Sequence, residues 1–485
     1  MCGIIGIINT SGQRVFEEIY RGLHAIQHRG QDATGILTFS NRFHLVKGPG
    51  LVRDVFKKQE QQILEGSMGL GHVRYPTVGK RSWEDAQPFW SGTPYGIGIA
   101  HNGNLSNFFF LKEHFRDNHN SLINSDCDVE GLLALLGEEI LRQGSGGSLS
   151  AKGIFRAIKG VLQRAQGAYS VVGMIANYGM FAFRDPHGIR PIVMGSRDDG
   201  AGGRSHCIAS ESVVLDLLDY HDTRNLLPGE AVIIENDGTV HEETVLSRLQ
   251  SPCIFEYVYF ARPDSFIEGI SVYKTRQRCG ERLAEKWKKT GIKADVVIPV
   301  PESATTAAAA LANQLDLPYR EALVKNRYVG RTFIMPRNTA RQDTVRLKLN
   351  AIQIEFEGKD VLLVDDSIVR GNTSRSIIEM ARKAGARKVY MASYSPPLQN
   401  PCVYGIDMST KGDFVAKERS VEEVAREIGA DHLVYQDLDD LLAAASDGND
   451  QVEHFCSACF TGSYPTGDVT PQTLSDIEAE RERDC

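Results

Sequence analysis

The chain has 485 residues, of which 42% are hydrophobic and 24% charged, and its 54 basic and 62 acidic side chains leave a net charge of −8. This length predicts two or three domains of an ordinary globular protein. The negative charge argues against a nucleic-acid partner. Because no apolar run reaches about 18 residues and no secretion signal is visible, we expect a cytoplasmic protein without a membrane span.

The number of cysteines favours catalysis or metal binding over a disulfide framework. The cysteines are nine in number, at positions 2, 127, 207, 253, 279, 402, 456, 459 and 485. An odd number in a large chain of this class makes catalysis or metal ligation the better expectation for those that cluster.

The first seven residues predict a buried strand that begins with a reactive cysteine. Removal of Met1 would leave the thiol and the α-amine of Cys2 on one carbon. An α-amine has a pKa of about 7.7–8.0, so it can act as general base for that thiol near neutral pH. A cysteine at position 2 is a weak signal by itself, and the rest of the chain has to support it.

The first half continues with short strands that end at glycines. Strands are predicted over residues 4–8 and 36–39, with a helix over 15–27 between them. Two further strands run into polar turns, at 69–77 and 97–105. With few long helices expected, this pattern predicts a layered sheet structure.

Polar motifs follow these elements in a fixed order. In the turn predicted at Asn102-Gly103, an amide side chain and a backbone N–H could stabilise an oxyanion, and Arg74 could pair with a carboxylate. Each alone is more often ordinary turn chemistry or a surface arginine. The motifs occupy residues 2–4, 28–32, 71–74, 101–104 and 125–126.

Taken together, these five motifs resemble those of the class II glutamine amidotransferases, which are N-terminal-nucleophile hydrolases with an αββα sandwich. The resemblance covers residues 2 to about 240. It implies a catalytic set of Cys2 as nucleophile with Asn102 and Gly103 as the oxyanion hole. It implies that glutamine is bound by Arg29, Arg74 and Asp126, although Asp128 could share the glutamine amine with Asp126.

The second half alternates between helices and strands, beyond a junction at about 245–255. The pattern predicts helices over 276–290, 305–314 and 373–384, and strands over 295–300, 361–364 and 389–393. Such alternation is typical of a parallel α/β sheet.

The sharpest motif of this half is the segment 361–374, VLLVDDSIVRGNTS. Acids at the end of a buried strand can bind vicinal hydroxyls or hydrated Mg²⁺, and the following helix start can bind a phosphate. A ribose 5-phosphate presents both groups. The plainer interpretation is a capped helix after a core strand, with solvent-exposed acids.

The same segment resembles the diphosphoribosyl-binding loop of type I phosphoribosyltransferases. Residues 299–303 resemble the pyrophosphate loop of that family, but Glu302 and Ala304 replace the usual Asp and Gly. The resemblance implies Mg²⁺ at Ser303, Asp365 and Asp366. It implies that 5-phosphoribosyl 1-diphosphate (PRPP) is bound by Asp365, Asp366, Ser367, Val369, Arg370, Gly371, Thr373 and Ser374.

A basic segment over 325–350 resembles the loop that closes over PRPP in glutamine phosphoribosyl-diphosphate amidotransferases. Arg331, Arg346 and Lys348 would neutralise the diphosphate, and Tyr328 would line an ammonia channel. Without the neighbouring motifs, a solvated basic surface would be the default interpretation.

The C-terminal Cys456-Ser457-Ala458-Cys459 motif by itself could bind zinc, serve redox chemistry or be accidental. With Cys253 and Cys402 it supplies four thiolates, which suit a [4Fe–4S] cluster or a zinc ion. Their sequence contexts resemble the iron–sulfur type of this amidotransferase family, which favours the cluster and leaves zinc as the second choice.

The resemblance as a whole implies two domains, at 2–245 and 255–467, and a polar tail at 468–485. It implies that glutamine hydrolysis at Cys2 supplies ammonia to PRPP, giving 5-phosphoribosylamine for purine synthesis. A homotetramer or homodimer inhibited by purine nucleotides is also implied. The alternatives are another class II amidotransferase and a catalytically silent paralogue that regulates or binds a cluster.

Overall fold

The computed structural model describes the chain except for residues 76–82, 120–121, 144–148, 327–348, 407, 409–411, 413, 450 and 484–485. The described strands are β1 Gly3–Asn9, β2 Ala33–Phe39, β3 Phe43–Pro49, β4 Met68–Arg74, β5 Phe89–Ser91, β6 Ile97–Leu105, β7 Gly167–Ile175, β8 Gly179–Arg184, β9 Val193–Asp198, β10 Arg204–Ala209, β11 His221–Asn225, β12 Glu230–Glu235, β13 Val240–Thr244, β14 Phe266–Ile267, β15 Ile270–Ser271, β16 Val296–Pro299, β17 Leu323–Lys325, β18 Leu349–Ala351, β19 Asp360–Asp365, β20 Lys388–Ser393 and β21 His432–Tyr435. The described α-helices are α1 Phe16–Ala25, α2 Val52–Val55, α3 Lys58–Ile63, α4 Phe108–His119, α5 Asp128–Gln143, α6 Ala151–Arg164, α7 Ser212–Leu217, α8 Val272–Lys289, α9 Thr305–Leu315, α10 Asn372–Lys383, α11 Val421–Ile428, α12 Leu438–Ser446, α13 Ala458–Thr461 and α14 Pro471–Arg483.

Two antiparallel sheets form the N-terminal half. One has the strand order β11-β9-β10-β1-β4-β2-β3 and the other β13-β12-β8-β7-β6-β5. The strand β1 is central, paired with both β4 and β10, and every one of its residues is buried. The strands predicted at 4–8 and 36–39 are therefore confirmed.

Helices cover the outer face of each sheet, which makes the predicted αββα sandwich. Between the sheets, Ile4 packs with Val172 and Met174. Helices α1 and α7 cover the first sheet, and α4, α5 and α6 cover the second. The expectation of few long helices is wrong for this half, because α5 and α6 span 16 and 14 residues.

A four-stranded parallel sheet, in the order β16-β19-β20-β21, forms the centre of the second half. Its strands are almost continuous apolar runs because helices bury both faces. Helices α8, α9 and α12 pack on one face, and α10 and α11 on the other. The predicted parallel α/β arrangement is confirmed.

Between the halves, the chain leaves β13 and forms a π-helix at Glu256–Phe260 before α8. The polar tail predicted at 468–485 contains the helix α14. None of the described helices combines the length and apolar character that a membrane span requires.

Candidate active sites

The strand β1 presents Cys2 at its start, inside the sandwich. The backbone N–H of Cys2 donates to Asn102 Oδ1 over 3.1 Å, and its Sγ lies 3.7 Å from the carbonyl oxygen of Tyr75. Cys2 is only 8% exposed. Removal of Met1 would turn this N–H into the α-amine, beside its own thiol and in contact with Asn102.

The predicted oxyanion residues Asn102 and Gly103 lie inside β6 rather than in a turn after it. The strand continues to Leu105, because β7 pairs with it along its whole length. Pairing between distant segments therefore overrides the local turn preference of Asn-Gly. The Nδ2 atom of Asn102 is buried without a hydrogen-bond partner among the described residues, so it remains available to an oxyanion.

The residues predicted to bind the glutamine backbone differ in how they are held. Arg74 ends β4, is buried, and has Nη2 3.9 Å from Asp85 Oδ2. Asp126 is half-exposed and accepts a hydrogen bond from Lys112 Nζ at 3.1 Å. Asp128 instead is buried and is engaged by His101 Nε2 at 3.1 Å and the Leu105 N–H at 2.8 Å. Asp126 is thus the more accessible of the two carboxylates.

Arg29, predicted to bind glutamine, has a different set of partners. Its fully buried guanidinium donates to the carbonyl oxygen of Cys2 at 3.0 Å, to Glu211, and to Glu256 at 2.7 Å. A resemblance between motifs does not reveal these partners, because Glu211 and Glu256 lie 182 and 227 residues away in sequence. The arginine therefore ties the nucleophile strand to the segment between the halves.

The two aspartates predicted to form the acceptor site lie where β19 ends. Asp365 and Asp366 are both buried. The Oγ atoms of Ser303 and Ser367 donate to the Asp366 carboxylate at 2.5 and 2.6 Å. Burial raises the pKa of Asp365 well above its usual value, and the charge of Asp366 adds to the effect. Such a pair favours a bound cation or hydroxyl groups.

The remaining predicted PRPP residues form the loop that opens α10. Gly371 has φ +75° and immediately precedes the helix, so the first-turn N–H groups at Thr373 and Ser374 face a potential anion. Val369 and Arg370 lead into this turn. Tyr328, Arg331, Arg346 and Lys348 lie outside the described residues.

The two departures in the pyrophosphate loop have different structural consequences. Ala304 has φ −83° and ψ −9° and caps α9, so its Cβ causes no backbone strain there. The carboxylate of Glu302 is 61% exposed and lies 3.7 Å from Lys325 Nζ. The replacement of the usual Gly by Ala304 is therefore compatible with the backbone of this loop.

The four cysteines of the predicted metal site come together from three segments. Cys253 and Cys456 form a parallel β-bridge, and the N–H of Tyr404 lies 3.4 Å from Cys402 Sγ. Burial raises the pKa of the Cys459 thiol well above its usual value, and the other three cysteines raise it further. Among the described residues, no three His, Cys, Asp or Glu side chains converge on one point as ligands of a single ion.

A buried arginine that the sequence did not single out as a site residue lies beside these thiols. Arg190 is fully buried, with Nη1 3.6 Å from Glu256 Oε1 and in contact with Met1 Sδ. Its Nε and Nη2 have no hydrogen-bond partner in the described part of the chain. Although burial lowers its pKa, Cys253, Glu256 and Cys402 raise it above the usual value. A buried cation here fits a negatively charged group held by the cysteines.

Comparison with protein families agrees with the two sites. Residues 72–216 match the glutamine amidotransferase domain, and residues 273–394 match the phosphoribosyl transferase domain. Fold and sites together define a glutamine amidotransferase joined to a phosphoribosyltransferase.

Similar proteins of known function identify the family within this class. Amidophosphoribosyltransferases of Pseudomonas aeruginosa and Escherichia coli are 48% and 47% identical, over 99% and 100% of this chain and 96% of each relative. The glutamine PRPP amidotransferase from B. subtilis, solved with ADP and GMP, superposes with a TM-score of 0.84 at 38% identity, over 96% of this chain and 97% of that one. The chain belongs to the amidophosphoribosyltransferase family.

Proposed function

We propose that this chain transfers the amide nitrogen of glutamine to PRPP, giving 5-phosphoribosylamine, glutamate and pyrophosphate, as the first step of purine synthesis. The observation that carries this function is the presence in one chain of the Cys2–Asn102 pair and the buried Asp365–Asp366 loop. We assign the glutaminase to residues 2–245 and the acceptor site to residues 255–467.

In the glutaminase step, the Cys2 thiolate attacks the carboxamide carbon of glutamine. The α-amine of Cys2 takes the thiol proton and returns it to the leaving ammonia, while Asn102 Nδ2 and the Gly103 N–H stabilise the oxyanion. Water then hydrolyses the thioester to glutamate. Arg74 and Asp126 would orient the α-carboxylate and α-amine of the substrate.

In the acceptor step, ammonia attacks C1 of PRPP and pyrophosphate leaves. Asp365 and Asp366 would hold the ribose hydroxyls, and the start of α10 would hold the 5-phosphate. Mg²⁺, when bound near Ser303 and the two aspartates, would neutralise the charge that develops on the diphosphate.

We propose a [4Fe–4S] cluster at Cys253, Cys402, Cys456 and Cys459. Two observations support it: Cys253, Cys402 and Cys456 lie close enough to Cys459 to raise the pKa of its thiol, and the buried Arg190, whose Nε and Nη2 have no hydrogen-bond partner in the described part of the chain, lies beside these cysteines. Zinc is the second choice, because it needs all four sulfurs at about 2.3 Å from one point. A cluster distributes the four thiolates over four iron atoms, so it needs no such convergence.

Two similar solved structures bear on regulation. The B. subtilis relative was solved with ADP and GMP, and another similar structure, with a TM-score of 0.87, is described as the allosteric regulatory enzyme of purine biosynthesis. We propose inhibition by purine nucleotides, a homotetramer or homodimer, and a cytoplasmic location.

The test uses the anaerobically purified full chain. Glutamate formation from glutamine is measured with and without PRPP, and the absorption spectrum and iron and zinc contents are taken on the same sample. Glutamate formation stimulated by PRPP, together with broad visible absorption and bound iron, is expected. Glutaminase activity indifferent to PRPP contradicts the coupled function, whereas active protein with zinc instead of iron contradicts only the cluster.

A further inference from the structure

A loop of the acceptor half lies directly against the oxyanion residue of the glutaminase half. This loop, residues 402–405, approaches β6 so closely that a Cβ on Gly405 would lie 2.8 Å from the carbonyl carbon and oxygen of Gly103. Next to this contact, Asn104 Nδ2 donates to the carbonyl oxygen of Val403 at 3.0 Å. All four of these residues are buried.

Both glycines at this contact are required by the geometry. Gly405 has φ +97°, a conformation that side chains disfavour. A Cβ on Gly103 would lie 2.1 Å from the carbonyl oxygen of Ala168 on β7. Gly103 therefore packs tightly against both β7 and the loop.

The loop itself is anchored to the C-terminal segment. Tyr404 OH shares a 2.6 Å hydrogen bond with Thr466 Oγ1, and Tyr464 OH donates to the carbonyl oxygen of Pro401 at 2.7 Å. Tyr404 and Tyr464 also pack edge to face at 5.9 Å between ring centroids. The position of Gly405 thus depends on contacts of the loop with residues 464–466 as well as with β6.

We propose that the loop 402–405 positions the oxyanion hole: Gly405, in contact with Gly103, and the carbonyl of Val403, which accepts a hydrogen bond from the Asn104 side chain, hold β6 where the Gly103 N–H stabilises the tetrahedral intermediate of glutamine hydrolysis. Gly405 is a positioning residue, since it touches Gly103 and not the substrate. Oxyanion donors act only when placed to within about 0.5 Å, so a small displacement of this loop costs rate. The inference rests on the proposed glutaminase function.

The test is Gly405→Ala, assayed by two routes. We expect the glutamine-dependent kcat to fall by about 10–100-fold, because one donor of the oxyanion hole is displaced rather than removed. The KM for glutamine and the synthesis of phosphoribosylamine from ammonia should stay within about twofold, since ground-state binding and the acceptor site are untouched. Binding of glutamate γ-semialdehyde, which forms a tetrahedral adduct with the thiol, should weaken in parallel with kcat.

Gly467→Ala is the matched control, because Gly467 also has a positive φ of +72° but its Cβ would enter open space. A Gly405→Ala protein with wild-type glutamine-dependent kcat overturns the proposal. If both routes fall together, Asn104→Ala decides, because it removes the hydrogen bond to Val403, and with it a longer one of 3.5 Å to the carbonyl oxygen of Leu105, without adding atoms at the contact. Selective loss of the glutamine route then supports the positioning role, and any other result overturns it. Absence of glutaminase in the wild type would refute the proposed function instead.

Discussion

At the scale of single residues, Cys2 is the group on which glutamine use depends. Cys2→Ala keeps the α-amine and the hydrogen bond to Asn102 but removes the nucleophile. We expect glutamine-dependent synthesis to fall by about 10³-fold or more, while synthesis from ammonia remains. The control Cys279→Ala removes another buried thiol, in α8, and should keep both routes. Loss of the ammonia route in the Cys2 variant would refute the account of two separate sites.

A second prediction for a single residue concerns Glu211, through which the stability of the protein should depend on pH. Burial raises its pKa, but His28, Arg29 and the hydroxyl of Ser265 outweigh burial and hold the pKa far below its usual value. A lowered folded-state pKa contributes stability that is fully present well above the unfolded value of about 4.3 and is lost as pH falls below it. Glu211→Gln should therefore cost about 3–5 kcal/mol near pH 7.

The prediction for Glu211→Gln is checked by measuring how the stability difference from wild type changes with pH. Melting temperatures are compared at several values between pH 7 and pH 3.5, where the gap between variant and wild type should narrow as the solution becomes more acidic. A gap that stays constant with pH contradicts the assignment. Asp264→Asn, in an exposed pair with Arg262, is the control and should change stability by at most about 1 kcal/mol.

At the scale of elements, the π-helix Glu256–Phe260 connects the two sites. Tyr394 OH donates to the carbonyl oxygen of Val258 at 2.7 Å and lies 3.2 Å from that of Ser303, whose side chain contacts Asp366. At the other end, Glu256 binds Arg29, which holds the carbonyl of Cys2. A continuous set of contacts thus runs from the acceptor site to the nucleophile.

Tyr394→Phe tests this connection. Removing the hydroxyl leaves buried carbonyls without their donor, which typically costs about 1–3 kcal/mol and loosens the contact between Ser303 and the π-helix. We expect PRPP to stimulate the glutaminase several-fold less, while glutaminase activity without PRPP is unchanged. Tyr390→Phe, on the neighbouring strand β20, is the control. Undiminished stimulation in Tyr394→Phe would exclude this route of coupling.

Some of the helices and strands could be predicted from the sequence and others could not. The strands next to Cys2 and Asp365 were predictable, because each is a buried apolar run: Cys2 precedes the first, and Asp365 ends the second. Helix α5 was missed although Val129, Leu132, Leu136 and Ile140 have helical spacing. The salt bridges of Arg29 and the contact of Gly405 with Gly103 could not be predicted, since they join segments more than a hundred residues apart whose packing no local pattern encodes.

At the scale of the whole molecule, the two sites should respond differently to removal of Mg²⁺. Chelation should abolish synthesis from both glutamine and ammonia, because the buried Asp365–Asp366 pair acts only in the acceptor step. Glutamate formation without PRPP should persist. Asp366→Asn should reproduce the loss of both synthetic routes, whereas Asp295→Asn, an exposed acid paired with Arg387, should not. A variant at Asp366 with full synthesis would refute the acceptor-site assignment.

The four cysteines of the proposed metal site come from the beginning and from the later part of the second half of the chain. Loss of this site should therefore loosen the C-terminal segment. Cys459 lies in α13 and its carbonyl oxygen accepts the N–H groups of Gln399 and Asn400, both at 3.1 Å. Cys459→Ser should lower the bound iron and leave Glu256 as the negative group nearest to the buried Arg190. We expect limited proteolysis to cut residues 451–483 sooner. We also expect the glutamine route to fall more than the ammonia route, because the loop 402–405 reaches Gly103.

Cys207→Ser, a buried thiol of β10 remote from this site, controls for the substitution itself. Unchanged iron content in Cys459→Ser would remove Cys459 from the ligand set, whereas iron loss with an unaltered proteolytic pattern would show that the cysteines do not hold the C-terminal segment in place.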